Sequence, residues 1–144
     1  LLWKLNLANC GLAYGNLSYL AGSVEPFPSL TWLSLAGNEV PQDDVVFFAG
    51  LDWPQVRRLK HLDISECGYD YESLFRVLAR NGSHLDSLWS LAMRGTRLTD
   101  AAIVPLADHA VLPALKRLDV RDTKVSYDGV KYLKRTRPNL EVLA

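Results

Sequence analysis

One motif written five times constrains this chain more than any other feature. Leu2-Trp3-Lys4-Leu5-Asn6-Leu7-Ala8-Asn9-Cys10-Gly11-Leu12 recurs from Leu30 (LTWLSLAGNEV), from Leu59 (LKHLDISECGY), from Leu88 (LWSLAMRGTRL) and from Leu115 (LKRLDVRDTKV). A sixth copy, LEVLA, begins at Leu140. The starts at 2, 30, 59, 88, 115 and 140 are separated by 28, 29, 29, 27 and 25 residues. Repeats of this length stack, because one unit cannot bury its own apolar face.

Within each copy, Leu stands at positions 1 and 4, an aliphatic residue or Met at 6, a small polar residue or Cys at 9, and a largely apolar residue at 11. Positions 4 and 6 alternate with polar 3, 5 and 7, the period of a half-buried strand. This predicts parallel strands near 4–8, 32–36, 61–65, 90–94 and 117–121 in one sheet. Position 9 holds Cys10, Asn38, Cys67, Thr96 and Thr123. The backbone turns there, and these side chains are expected to form a buried polar ladder that satisfies loop amides.

The second half of each copy carries apolar pairs at helical spacing: Leu17 and Leu20, Val45 and Phe48, Leu74 and Leu78, Ile103 and Leu106, Val130 and Leu133. Thr99-Asp100 and Ser126-Tyr127-Asp128 read as N-cap residues followed by an acid in the first turn. Helices are therefore expected near 72–80, 100–109 and 127–136. Gly82, Pro105, Pro113 and Pro138 shape the return to the next strand.

The five registers of this pattern resemble the leucine-rich repeat family over essentially the whole chain. The repeat length and helical half are similar to the ribonuclease-inhibitor-like and cysteine-containing (F-box-type) subclasses. The resemblance implies an α/β horseshoe solenoid, with a parallel sheet on the concave side and helices on the convex side. Gly15, Gly22, Pro26 and Pro28 in the first copy, and Gly50 and Trp53-Pro54 in the second, depart from the helical pattern. Residues 1–144 read as a single domain. The chain starts and stops inside the pattern with no leader, which predicts a piece of a longer protein.

Composition excludes several classes. Apolar residues make up 49% and charged residues 22%, a globular balance rather than a disordered one. No apolar run approaches the roughly 18 residues of a membrane span. Net charge is zero, which disfavours a protein that seeks polyanions globally.

Cys10 and Cys67 lie two copies apart, roughly 10 Å at sheet spacing, beyond disulfide reach. Both are expected to be buried ladder thiols. Secreted members of the resembled family carry disulfide-bonded end caps, so their absence predicts an intracellular location, cytoplasmic, nuclear or organellar. Asn16-Leu17-Ser18 and Asn81-Gly82-Ser83 match the glycosylation sequon, and Asn81 beside Gly82 reads instead as a helix C-cap.

Position 3 forms the column Lys4, Trp32, His61, Ser90, Arg117, and position 5 the column Asn6, Ser34, Asp63, Ala92, Asp119. A Ser-His-Asp set can be drawn through Ser90, His61 and Asp63. A regular strand offers no strained nucleophile turn and no oxyanion hole, so catalysis is not predicted. His61, His84 and His109 have no metal-ligand spacing, and no phosphate loop or dinucleotide fingerprint occurs. No cofactor, small-molecule substrate or membrane insertion is expected.

The predicted function is therefore a non-enzymatic protein-interaction module. Its concave surface is assigned to Trp3, Trp32, His61, Asp63, Trp89, Arg94, Arg117, Asp119 and Arg121, because Trp and Arg dominate interface hot spots. Residues 1–72 hold 4 Lys/Arg and 9 Asp/Glu, whereas residues 73–144 hold 12 and 7. Lys124, Lys131, Lys134, Arg135 and Arg137 form the expected basic patch, with an acidic protein surface as its partner and RNA ranked behind it. Two alternatives follow from the resemblance: a ubiquitin-ligase substrate receptor, or a structural subunit of an organellar or ribonucleoprotein complex.

Overall fold

Every copy of the motif places its central Leu or Val in a three-residue strand. The computed structural model describes residues 1–13, 16, 27–39, 56–68, 74–76, 79 and 85–144. The strands are β1 (Lys4–Asn6), β2 (Trp32–Ser34), β3 (His61–Asp63), β4 (Ser90–Ala92), β5 (Arg117–Asp119) and β6 (Glu141–Leu143). They form one six-stranded parallel sheet in chain order. Leu5, Leu33, Leu62, Leu91, Leu118 and Val142 lie in register along its centre.

The strands are shorter than expected, yet inter-strand bonding continues past them. The position-6 amides of Leu7, Leu35, Ile64 and Met93 donate to the position-5 carbonyl of the next copy, at 2.8–2.9 Å. That of Val120 donates to Leu143 O at 2.8 Å, because the sixth copy pairs one residue out of its sequence register, with Val142 rather than Leu143 opposite Leu118. The position-8 amides of Asn9, Gly37, Glu66 and Gly95 donate to the next position-7 carbonyl. Regular strand geometry stops because position 8 turns left-handed in all five complete copies. Its φ is +54° at Asn9, +66° at Gly37, +56° at Glu66, +67° at Gly95 and +57° at Asp122. That conformation is natural for Gly and costs other residues about 1–2 kcal/mol.

The core lies behind the sheet. Leu30, Leu59, Leu88, Leu115 and Leu140 at position 1 are buried, as are Leu35, Ile64, Met93 and Val120 at position 6. Leu5, Leu7 and Leu12 of the first copy are only partly covered, because β1 is an edge of the sheet.

Two helices follow β4 and β5: α1 (Asp100–Ile103) and α2 (Tyr127–Thr136). α1 is shorter than the expected 100–109 and passes into a 3₁₀ turn, Val104–Ala107. Pro105 lacks the amide an α-helix needs there and would clash with the preceding turn. Ile103, Leu106, Val130 and Leu133 are buried as the helical spacing predicts. Residues 74–76 and 79 are helical, with Leu74 and Phe75 buried. Leu17, Leu20, Val45, Phe48, Leu78, Trp53, the Asn81 sequon and His84 lie outside the described residues.

The position-9 ladder is discontinuous. Asn38 is buried and joins two copies: its Nδ2 donates to Leu7 O at 2.8 Å and Leu35 O at 2.7 Å, and its Oδ1 accepts from Leu12 N at 3.0 Å. Cys67 is buried and its Sγ donates back to Leu35 O at 3.3 Å. Thr96 and Thr123 instead close on their own turns, donating to Met93 O and Val120 O. A threonine hydroxyl is shorter than an Asn amide and finds its nearest acceptor within the turn. Cys10 is exposed, contrary to expectation, and reaches only Ala8 O of its own turn. Cys67, by contrast, is covered by the turn of the copy before it.

Candidate functional site

The outward face of the sheet carries positions 3 and 5, and the two columns differ in what they can offer. Position 5 is committed to the backbone. Asn6 Oδ1 accepts from Ala8 N at 3.0 Å, Ser34 Oγ from Ala36 N at 3.4 Å, Asp63 Oδ1 from Ser65 N at 3.0 Å, and Asp119 Oδ1 from Arg121 N at 3.2 Å. Each side chain thus satisfies an amide two residues on, as the chain leaves its strand. Ala92 has no oxygen to offer. There the amide of Arg94 donates instead to Ser65 Oγ of the preceding copy, at 3.1 Å.

Charged residues of the face are likewise engaged, at the strand ends and, for Arg117 and Glu141, at the starts of β5 and β6. Asp119 receives both Nε and Nη2 of Arg121, at 2.9 and 2.6 Å, and this pairing holds its carboxyl below the usual carboxylate range. Arg94 Nε pairs with Asp122 at 2.8 Å, and Arg117 lies 3.7 Å from Glu141. Asp63 Oδ2 accepts from Ser34 Oγ at 3.4 Å. Asp63 and Asp119 therefore hold turns and neighbours, a role the sequence pattern did not reveal. The recurrence of an oxygen-bearing side chain two residues before a turn was the available signal.

The strand starts differ. Trp3 is 60% exposed and Trp89 41% exposed. Lys4 Nζ sits 4.2 Å from the centroid of the Trp32 ring, a cation–π contact between β1 and β2. His61 meets Trp89 edge-to-face, with ring centroids 5.5 Å apart and planes at 67°. Partial burial, and then the neighbouring Lys60 charge, lower the His61 pKa below its ordinary value. Lys60, His61, Ser87, Trp89 and Ala114 line an open hollow of about 500 Å³.

The Ser-His-Asp set is not assembled. His61 and Ser90 are register partners, but no hydrogen bond joins His61 to Ser90 or Asp63 among the described residues. Nor do His, Cys, Asp and Glu gather into a potential metal site among the described residues.

The basic patch requires one correction. Lys124, Lys131, Lys134 and Arg135 are exposed, and the last three project from α2 together with Tyr127 and Tyr132. Arg137 is only 4% exposed. Its Nη1 donates to Val111 O at 3.0 Å and Leu106 O at 3.4 Å, and its Nη2 to Leu112 O at 3.0 Å. Leu106 lies in the 3₁₀ turn of the preceding copy, and Val111 and Leu112 follow it. Arg137 is thus a buried clamp between copies, and burial lowers its pKa against the opposing pull of Asp108.

No protein-family model and no curated protein matches the sequence. Among solved structures the chain is similar to an internalin (inlF) from Listeria monocytogenes, a leucine-rich repeat protein, with a TM-score of 0.50 and 17% identity. The similarity covers 84% of this chain and 31% of the internalin, so the chain spans about a third of that protein's length. Among the described residues, no helix is long and apolar enough to cross a membrane. At this identity the likeness speaks of fold alone: an α/β, leucine-rich-repeat-like fold on a six-stranded parallel sheet.

Proposed function

We propose that this chain is a non-enzymatic protein–protein interaction module, a horseshoe solenoid of the ribonuclease-inhibitor-like type that binds through its strand-start face. The exposed indoles of Trp3 and Trp89 on either side of the Lys4–Trp32 contact carry this reading. Exposed Trp on a rigid sheet brings large contact area with few rotamers to freeze, which is what interface anchors need. The strand-end half of the face contributes shape and spacing, since its carboxylates and guanidinia already pair with one another. The test is co-purification from lysate with quantitative mass spectrometry, comparing wild type with a Trp3→Ala/Trp32→Ala double variant. Loss of a defined partner set at an unchanged melting temperature supports the module. An unchanged partner set refutes this face.

A second reading is favoured by α2. Its exterior gathers Lys131, Lys134, Arg135 and two exposed tyrosines; Lys134 and Arg135 complement the helix dipole in the last turn, but Lys131 repels both at i+3 and i+4. A structural subunit docked through this end on an acidic protein surface would use them. Charge reversal of the three cations should then weaken association and flatten its salt dependence. A salt slope equal to wild type leaves α2 as solvated surface. A ubiquitin-ligase receptor is a special case of the first reading, supported only by the cysteine-containing repeat pattern.

A further inference from the structure

The hollow beside Trp89 is a built feature of the sheet. Trp89 N and Ser90 N both donate to Lys60 O, at 2.8 and 2.9 Å, and Trp89 O accepts from Lys116 N and Arg117 N at 2.9 and 3.1 Å. The backbone carrying its walls is thus held by ladder bonds on both sides. Ordering of that backbone is complete before any ligand arrives, which lowers the entropic cost of binding.

Its chemistry is asymmetric. The apolar lining is the indole of Trp89, in edge-to-face contact with the His61 ring and left 41% exposed, together with Ala114. The polar lining is Lys60, whose ammonium has no carboxylate partner among the described residues, and Ser87. Among the described residues, no carboxylate lines the hollow. Lys60 is the one cation among the described lining residues, and one cation near an exposed indole suits one carboxylate next to one large side chain. It does not suit a phosphodiester chain, which calls for several cations along its backbone.

Resting on the interaction-module reading, we propose that this hollow is a subsite for an acidic peptide segment of a partner protein. A large apolar side chain lies against Trp89, and the adjacent Asp or Glu carboxylate pairs with Lys60.

The probe is acetyl-Gly-Phe-Glu-Gly-amide, titrated into the ¹⁵N-labelled 144-residue chain. Saturable shifts should centre on the Trp89 indole N–H and the Lys60 amide. Replacing the probe's Glu with Lys should weaken binding by roughly threefold or more, the scale of an exposed ion pair. Trp89→Ala should weaken it roughly tenfold, as loss of an aromatic anchor does. Lys60→Ala should leave the Phe contact but erase the preference for Glu over Lys; because Lys60 is exposed, this variant reports even if Trp89→Ala disturbs the fold. Equal affinity for the Glu and Lys probes overturns the proposal, and so does the absence of any shift at about 10 mM probe, weaker than a millimolar subsite allows. Shifts centred on Trp3 or Trp32 overturn the subsite while leaving the interaction module standing. Failure of the module shows separately, in the Trp3→Ala/Trp32→Ala comparison.

Discussion

Asp100 caps the helix of the copy after its own, through Ser126. Its Oδ1 accepts the Ser126 amide at 2.7 Å and its Oδ2 the Ser126 hydroxyl at 2.6 Å. Ser126 Oγ in turn accepts the Gly129 amide of α2 at 3.1 Å. Thr99, which stands at the N-cap of Asp100's own helix, makes no side-chain cap bond. A Cβ on Gly129 would overlap Asp100 Oδ1, so glycine here is a condition of the relay.

That overlap predicts a reversal of ordinary helix propensity. In a helix interior, Gly→Ala normally stabilises by about 1 kcal/mol. Gly129→Ala should instead destabilise this protein, and in an Asp100→Ala background it should become neutral or stabilising. Urea midpoints of the four-member cycle measure the coupling. Additive effects would show that the two residues do not interact.

The left-handed column makes a second prediction. Glu66 holds φ +56° where its neighbours Gly37 and Gly95 hold the same turn without a side chain. Glu66→Gly should stabilise by roughly 0.5–1 kcal/mol, since relieved strain outweighs the added freedom of the unfolded chain. Gly95→Ala should destabilise by about 1 kcal/mol or more, because the added Cβ would meet left-handed backbone and sit 3.1 Å from Glu66 Cγ. Thermal or urea denaturation checks both signs.

Asn38 and Thr123 occupy the same repeat position but bear different loads. Asn38 bonds groups of two copies, whereas Thr123 closes its own turn. Asn38→Ala should cost about 1–3 kcal/mol, the penalty for leaving buried polar groups unmet, and more than Thr123→Val. Equal losses in denaturation would mean that crossing between copies adds nothing.

His61 supplies a pH prediction. Its pKa lies below the ordinary 6.5 through burial first and Lys60 second. The unfolded chain therefore binds this proton at higher pH than the folded one. Its contribution to stability is full above pH 6.5 and declines as pH falls through the folded pKa. The facing groups are Trp89 and Lys60, with Trp32 and Ser90 as register partners on either side and Asp63 two residues along β3. An NMR titration of the His61 ring should find a midpoint below 6.5, and Lys60→Ala should raise it only part of the way, since burial is the larger cause. A full return to 6.5 in that variant would mean that the Lys60 charge, and not burial, depresses the imidazole.

The strand register of the first five copies, the parallel strand order, the Leu column of the core and the extent of α2 were all legible in the order of residues. Those features follow from local periodicity, since a one-residue slip turns a strand's apolar set to the other face; the sixth copy does slip, with Val142 opposite Leu118 and Leu143 opposite Asp119. Which polar residues remained available to a partner emerged only once the copies were stacked. Arg137 reads as surface charge but is drawn inward by carbonyls 25–31 residues earlier in the chain. Cys10 reads as core but lies exposed in the turn after β1, bonded to Ala8 O of that turn. Asp63 and Asp119 look like open ligands until the amides of Ser65 and Arg121 are seen to occupy them. Apolar side chains are sorted by how often they recur, whereas a polar side chain goes to whichever donor or acceptor stacking brings within about 3 Å, and that neighbour belongs as often to another copy as to its own.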